Sequence, residues 1–289
     1  MIGAGRMGGA LAIALSRKKY PVTAVVSRSK KSALQIAGNT GAGSFVVSRL
    51  NAVPPSDLIF ITTPDSEIAA VAEKLAKTST VKNKPTILHT SGSLSSEVLK
   101  PLRDIGCATG SMHPLASISE AKLGPKRFKG AYFCIEGDAK AQRVAKQIVK
   151  DLGGKAFSLE TKYKPLYHAA AVMTSGHTTA LFATAVEILT RCGLTAEKAK
   201  AVLFPLLEGT VKNLGGQSPA AALTGTFARA DTGAFERHIK LLAENADADA
   251  SQVYLLLGKI SLKLAEEQGA DKDDIKVLRK KIGQKMNRK

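Results

Sequence analysis

The chain has 289 residues, of which 44% are hydrophobic and 23% are charged. This length is enough for two domains with separate cores, and the composition excludes a disordered or fibrous protein. The sequence has no apolar run long enough to span a membrane and no secretory signal at its start, so we expect a cytoplasmic protein. The three cysteines, Cys107, Cys134 and Cys192, are too scattered for a disulfide framework or a zinc site, and we predict no metal.

The net charge is +18, from 42 basic and 24 acidic residues, and such an excess suggests an anionic partner. Part of it lies in a C-terminal tail, residues 275–289, where these basic residues face no acid: Lys276, Arg279, Lys280, Lys281, Lys285, Arg288 and Lys289. A solvated helix end is the simpler interpretation, and nucleic-acid binding is the alternative. With no Trp, few aromatic residues and no recognised motif, we do not expect a nucleic-acid partner.

Short β-rich runs alternate with helical stretches from Arg6 to about Leu159, which predicts βαβ units on a parallel sheet. The predicted strands are 22–27, 58–62, 86–89, 108–112 and 132–136. Helices are predicted between them, including 65–77 and 138–152.

Beyond Leu159 the strand signals disappear. The predicted helices there are 167–192, 195–213, 233–245, 251–268 and 273–282. We therefore predict an α/β fold: a doubly wound Rossmann sheet over residues 1–157, followed by an all-α domain over residues 158–289.

A glycine-rich turn opens the first helix, with the pattern G-x-G-x-x-G at Gly3, Gly5 and Gly8. The first glycine permits a tight turn, the second lets the backbone approach a pyrophosphate, and the third lets the helix pack closely on the strand. Amides at the positive end of the helix then receive the phosphates. We predict that Gly3, Gly5, Arg6, Met7 and Gly8 bind a dinucleotide.

The strand that should precede Gly3 is reduced to Met1 and Ile2. In a Rossmann fold that strand is central to the sheet. We expect that the numbered chain begins late.

The residues that follow the second strand decide between two cofactors, because an acid there binds the ribose of NAD and a base accepts the 2′-phosphate of NADP. No Asp or Glu occurs before Asp57. Ser27, Arg28, Ser29 and Lys31 can donate hydrogen bonds and positive charge to a phosphate, so we predict NADP. An ordinary basic loop is the alternative.

Two further loops follow strands at the same sheet edge, where ligands bind in open α/β folds. Their polar groups are predicted to contact the ribose or nicotinamide side of the cofactor: Thr62, Thr63, Pro64, Thr90 and Ser91. For two other residues of these loops, Asp65 and Ser93, a helix cap is the preferred interpretation.

Five motifs in this order carry a family resemblance: Gly3-Ala-Gly-Arg-Met-Gly8, His89-Thr-Ser-Gly-Ser93, Ser111-Met-His-Pro114, Tyr167-His-Ala-Ala-Ala171 and Leu223-Thr-Gly-Thr-Phe-Ala-Arg229 with Asp231. The chain resembles the Rossmann-like oxidoreductases with a C-terminal domain of unknown function 2520, relatives of ketopantoate reductase, pyrroline-5-carboxylate reductase, 6-phosphogluconate dehydrogenase and F420-dependent NADP oxidoreductase. The resemblance implies a homodimeric, nicotinamide-dependent reductase. A small oxo- or imino-acid such as ketopantoate is the implied substrate.

Hydride transfer to a carbonyl or imine needs alignment of the reacting carbons and a donor for the proton or the developing negative charge. The catalytic candidates are His113, His168, Lys164 and Ser175. On one long helix, positions 168, 172, 175 and 179 would share a face. Each histidine could instead be a buried structural residue.

The family usually carries Ser-Asn where this chain has Ser175-Gly176. The missing amide would position the substrate in related reductases, so its role passes to Ser175 or His177, or is lost. This departure keeps a non-catalytic NADP(H)-sensing or interaction protein open as the alternative function.

A third group of residues, Thr224, Arg229 and Asp231, is predicted to bind the substrate. Arginine can form a forked pair with a substrate carboxylate, and a nearby aspartate could orient it. A surface salt bridge between Arg229 and Asp231 is the alternative.

Overall fold

The structure is a computed structural model that describes residues 1–287. It divides into a first unit, Met1–Gly176, and a second unit that begins at His177. No helix among the described residues is both long and apolar enough to cross a membrane.

The first unit contains a β-sheet. Its strands are β1 (Ala24–Ser27), β2 (Gly43–Val46), β3 (Leu58–Ile61), β4 (Thr86–His89), β5 (Ala108–Pro114), β6 (Tyr132–Gly137) and β7 (Lys155–Phe157). The sequence patterns missed β2 and β7. Both are short, and β7 is largely exposed, so neither shows the apolar run of a buried parallel strand.

Strands β3, β4 and β5 run parallel, whereas β6 and β7 run parallel to each other and antiparallel to β5. Ile2 forms parallel bridges to Val26 of β1 and Ile61 of β3, so it joins the β1–β2 pair to the other five strands. The Ile2 amide donates to the Phe60 carbonyl at 2.8 Å, and the Thr62 amide donates to the Ile2 carbonyl at 2.7 Å. Two residues therefore occupy the central strand position that the glycine turn requires.

Helices cover both faces of the sheet. They are α1 (Arg6–Ser16), α2 (Lys30–Thr40), α3 (Asp65–Ala76), α4 (Lys100–Asp104), α5 (Ala139–Asp151) and α6 (Lys164–Val172). Alternate side chains of β3 belong to two different cores, one on each face of the sheet, because successive side chains of a strand point to opposite faces. Phe60 packs with residues of α1 and α5, whereas Ile59 and Ile61 pack with residues of α3 and α4. The predicted doubly wound Rossmann fold is confirmed.

The first unit extends beyond the predicted domain boundary between residues 157 and 158. It includes α6, whose residues Lys164, Tyr167 and His168 contact side chains and loops of the sheet. The strand signals end near Leu159, but the packing of the first unit continues to Gly176.

The predicted helix 167–192 is not one α-helix. A π-helical turn, Met173–His177, follows α6 and precedes α7 (Thr178–Arg191). Its i to i+5 hydrogen bonds interrupt the 3.6-residue period. The predicted shared face of positions 168, 172, 175 and 179 is therefore wrong.

The described residues of the second unit form helices joined by turns, without a strand, as predicted. After α7 come α8 (Ala196–Gly216), α9 (Pro219–Ala222), α10 (Thr232–Asn245), α11 (Ala248–Gln268) and α12 (Lys272–Met286). Phe235 and Ile239 of α10 pack with Leu255 and Leu262 of α11 and with Leu278 of α12 in its core.

The basic tail forms most of α12. Arg279 pairs with Glu266 at 2.9 Å (Nη2 to Oε2), and Lys281 pairs with Glu236. The prediction that the basic residues of the tail face no acid is therefore wrong for Arg279 and Lys281, because helix packing places acids from other helices beside them. Residues 288–289 lie outside the described part of the chain.

Candidate functional site

The glycine turn has no room for side chains at its first and third glycines. Gly3 has a φ of +112°, a conformation that favours glycine. A Cβ at Gly8 would lie 2.1 Å from the Gly3 carbonyl oxygen and 2.2 Å from Thr62 Oγ1. Close packing of helix on turn therefore requires glycine at both positions.

Gly5 differs from its neighbours, because no heavy atom lies within 4 Å of a Cβ built on it. It is the N-cap of α1 and supplies no side-chain hydrogen bond, and α1 begins at Arg6. The first amides of an α-helix, here those of Arg6, Met7 and Gly8, have no partner within the helix and carry the positive end of its dipole. Open space beside such amides fits a phosphate or pyrophosphate.

The two threonines after β3 differ in their hydrogen bonds. The Thr62 hydroxyl donates to the Gly3 carbonyl oxygen at 2.8 Å, so Thr62 holds the glycine turn in place. Thr63 Oγ1 is buried and has no hydrogen-bond partner among residues 1–287. A buried hydroxyl without a partner is costly in the free protein, and a bound polar ligand would supply the missing hydrogen bond.

The serines at the end of β1 and just after it form local hydrogen bonds. Ser29 is the N-cap of α2, and its hydroxyl accepts from the Ser32 amide at 3.2 Å. The Ser27 hydroxyl accepts from the Ser29 amide at 3.3 Å. Both hydroxyls therefore help to begin α2, and each keeps a proton to donate to a ligand.

The predicted phosphate-binding arginine has an acidic neighbour. Arg28 Nη1 lies 3.7 Å from Oε1 of Glu67, which belongs to the first turn of α3. Both side chains are exposed, so the pair contributes little to stability. No acid precedes Asp57 in the sequence, but folding places Glu67, at the start of α3, beside Arg28. Lys31 is exposed in the first turn of α2.

The loop after β4 is tied to the start of α3. Ser91 Oγ and Ser93 Oγ each donate to Asp65 Oδ2 at 2.7 Å. The N-cap of α3 is Pro64, without a side-chain hydrogen bond. The interpretation of Asp65 and Ser93 as helix caps is therefore wrong, because the carboxylate receives two hydroxyls from the neighbouring loop instead.

Two histidines and a tyrosine meet on this loop. His113 Nδ1 lies 2.7 Å from the Tyr167 hydroxyl, and the His113 and His168 rings are perpendicular with centroids 5.5 Å apart. A Cβ on Gly92 would lie 2.2 Å from His168 Nδ1 and 2.8 Å from His113 Nε2. The structure thus brings the predicted His113 and His168 together over Gly92.

Burial sets the protonation of this cluster. Burial, together with the charges of His168 and Lys164, lowers the pKa of His113 to about 4. Burial also raises the pKa of Tyr167 above its usual range. At neutral pH the tyrosine can donate to Nδ1 of a neutral imidazole, which leaves the ring proton of His113 on Nε2, facing Gly92.

Lys164, predicted to be catalytic, is fully buried. Its ammonium donates to the Ser91 carbonyl at 3.1 Å and to Ser111 Oγ, and it lies 3.4 Å from Glu136 Oε1. Burial lowers the pKa of Lys164, whereas Glu136 raises it. Sequence reasoning missed Glu136, although a carboxylate after the apolar run Phe133-Cys-Ile135 was a signal of a buried charge.

The remaining predicted site residues belong to the π-helical turn and to the second unit. Ser175 is exposed on the π-helical turn. Thr224 and Arg229 are exposed in the second unit, and Asp231 Oδ1 caps α10 by accepting from the Ala234 amide at 2.9 Å. In the described part of the chain Asp231 forms no ion pair with Arg229, so the alternative of a salt bridge between them is wrong.

The chain is similar to known protein families and solved structures. Family models match a Rossmann-like domain over residues 1–114 and a domain of unknown function, DUF2520, over residues 131–261. A protein of Thermotoga maritima has 24% identity and a TM-score of 0.72 over 92% of this chain and 98% of its own. A candidate NADP oxidoreductase from Bacteroides fragilis has 25% identity and a TM-score of 0.75 over 91% of this chain and 96% of its own.

A more distant similarity is to a reductive aminase from Aspergillus terreus, solved with NADPH and ethyl-5-oxohexanoate. It has 17% identity and a TM-score of 0.58 over 98% of this chain and 91% of its own. No curated protein sequence matches the chain.

Proposed function

We propose that this chain, which belongs to the Rossmann-like proteins with a C-terminal DUF2520 domain, is an NADP(H)-dependent reductase of a small oxo- or imino-acid, such as ketopantoate. The observation that carries the proposal is the meeting of His113, Tyr167 and His168 over Gly92. This cluster adjoins the sheet edge that holds the glycine turn. The names of the Bacteroides and Aspergillus proteins support an NADP-dependent oxidoreductase.

Different residues of the chain bind different parts of the cofactor. The open side of Gly5 and the first amides of α1 hold the pyrophosphate. Arg28 and Lys31 hold the 2′-phosphate, and Thr63 supplies a buried hydroxyl on the ribose or nicotinamide side. When bound, the cofactor supplies the hydride.

His113 is the group that acts on the substrate in this proposal. With its proton on Nε2, the neutral imidazole donates a hydrogen bond to the substrate oxygen or nitrogen and stabilises the negative charge that develops there. Tyr167 holds the tautomer through Nδ1. His168 lies against Gly92 on the other side of this cluster.

The cofactor part is tested by fluorescence titration with NADPH and NADH. We expect NADPH to bind at least about tenfold more tightly, because a charged hydrogen bond contributes roughly 1.5–3 kcal/mol. Arg28→Ala should remove most of that difference, since NADH lacks the 2′-phosphate. Lys18→Ala, an exposed lysine beyond the opposite end of α1, is the control. Equal affinities of the wild-type protein for both cofactors would refute the preference.

The alternative is a non-catalytic protein that senses NADP(H), favoured by Gly176 in place of the family asparagine. Steady-state oxidation of NADPH with ketopantoate, pyrroline-5-carboxylate and other short oxo acids separates the two. Turnover of any of them supports the reductase. Tight NADPH binding together with no turnover of any compound in the panel supports the sensor.

We include a homodimer in the proposal. Apolar side chains of α8, including Phe204, Leu206 and Leu214, are exposed, and Ala199 is its buried residue. A patch of this kind on a soluble chain indicates a protein interface. Sedimentation velocity at micromolar concentration should give twice the monomer mass, and a monomer would contradict the dimer.

A further inference from the structure

We propose that Lys164 and Glu136 are a buried positioning pair, which holds the Ser91–Gly92 peptide and Ser111 in the place that the His113–His168 cluster requires. Its geometry lies within the first unit and is independent of any ligand. Its role in catalysis rests on the proposed function.

The ammonium of Lys164 has three protons and three acceptors. They are the Ser91 carbonyl oxygen, Ser111 Oγ and Glu136 Oε1. An ammonium group can donate three hydrogen bonds, so none is left for a substrate. Because the side chain is also fully buried, Lys164 acts through the groups that it holds.

Glu136 is anchored on its other side. The Ser96 amide donates to Oε1 at 2.8 Å, and the Ser96 hydroxyl donates to Oε2 at 2.7 Å. Glu136 is 3% exposed, and a buried carboxylate persists only when it is paired and hydrogen-bonded. The pair therefore connects β6 to α6 at a fixed point.

This point lies directly behind the histidine cluster. Ser111 precedes His113 by two residues on β5, and Ser91 precedes Gly92 in the loop after β4. Tyr167 and His168 follow Lys164 by three and four residues on α6, so all three share one helix face. One ammonium thus sets the distance between the loop, the strand and the helix that form the cluster.

The test uses three variants: Lys164→Met, Glu136→Gln and the double variant that carries both changes. The control is Lys162→Met, which removes an exposed lysine paired with Glu160 at 2.7 Å. Histidine NMR titration follows the pKa of His113, and hydrogen exchange follows the Ser93 and Leu94 amides, which donate to Ser91 Oγ. We expect Lys164→Met to raise the pKa of His113, because a positive charge is lost, and to speed exchange at these amides by at least about tenfold.

The double variant should be more stable to urea than either single variant, because each single change leaves one buried charge unpaired. If Lys164→Met does not fold, Ser111→Ala removes one acceptor without exposing a charge and should still speed exchange at the Ser93 and Leu94 amides. Unchanged exchange and an unchanged pKa of His113 in the variants that fold would overturn the positioning pair.

These measurements need no substrate or cofactor. Failure of the wild-type protein to bind NADPH would therefore remove the proposed function and leave the result for the pair intact. If the wild-type protein turns over a substrate, Glu136→Gln should lower kcat by about tenfold or more while the NADPH affinity stays within about threefold.

Discussion

Replacing Gly5 by alanine is expected to weaken NADPH binding by about 100-fold while the free energy of unfolding falls by no more than about 1 kcal/mol, the cost of alanine at a helix N-cap. The φ of Gly5 is −76°, which alanine adopts without strain, and nothing lies within 4 Å of its added Cβ. The methyl group would instead occupy the space through which a pyrophosphate approaches the first turn of α1. Fluorescence titration and urea denaturation measure the two effects separately.

Two other glycine substitutions make this experiment specific. Gly38→Ala also adds a methyl group to open space, on α2, and should leave NADPH binding unchanged while raising the free energy of unfolding by up to about 1 kcal/mol, because alanine is the better helix former. Gly8→Ala should impair both binding and stability, because its Cβ would collide with the Gly3 carbonyl. If Gly5→Ala binds NADPH as the wild type does, the dinucleotide does not lie over α1, and the proposed cofactor site is wrong.

Replacing Gly92 by alanine is expected to lower kcat/KM by about 100-fold or more, because displacement of a catalytic group by about 1 Å is enough for such a loss. The added Cβ would lie 2.2 Å from His168 Nδ1 and 2.8 Å from His113 Nε2, so at least one imidazole must move. NADPH binding should fall much less than turnover, because the glycine turn is untouched.

Histidine NMR spectra report this displacement directly. In Gly92→Ala the imidazole signals of His113 and His168 should shift, whereas in Gly38→Ala they should not. If the signals shift but turnover is retained, the cluster has a structural role only, which was the alternative interpretation of each histidine. If neither changes, the packing of the two rings on Gly92 is not present in solution.

The sequence by itself determined the kind of sheet and the glycine turn of this protein. Both depend on local properties: the spacing of apolar residues sets the βαβ pattern, and the conformations open to glycine explain Gly3 and Gly8. The same local reasoning singled out His113 and His168. The compact first unit continues to Gly176, past the last strand signal near Leu159, because packing around the sheet continues beyond its last strand.

Only the tertiary structure decided which charges meet. The sequence separates Arg28 from Glu67 and Glu136 from Lys164, yet parallel crossovers place each pair in contact. Lys164 shows the consequence most clearly: a lysine near the start of a helix was predicted to be catalytic, and burial with three acceptors makes it a candidate for positioning instead. The choice of partner arises from the joint packing of β4, β5, β6 and α6, and no local pattern encodes it.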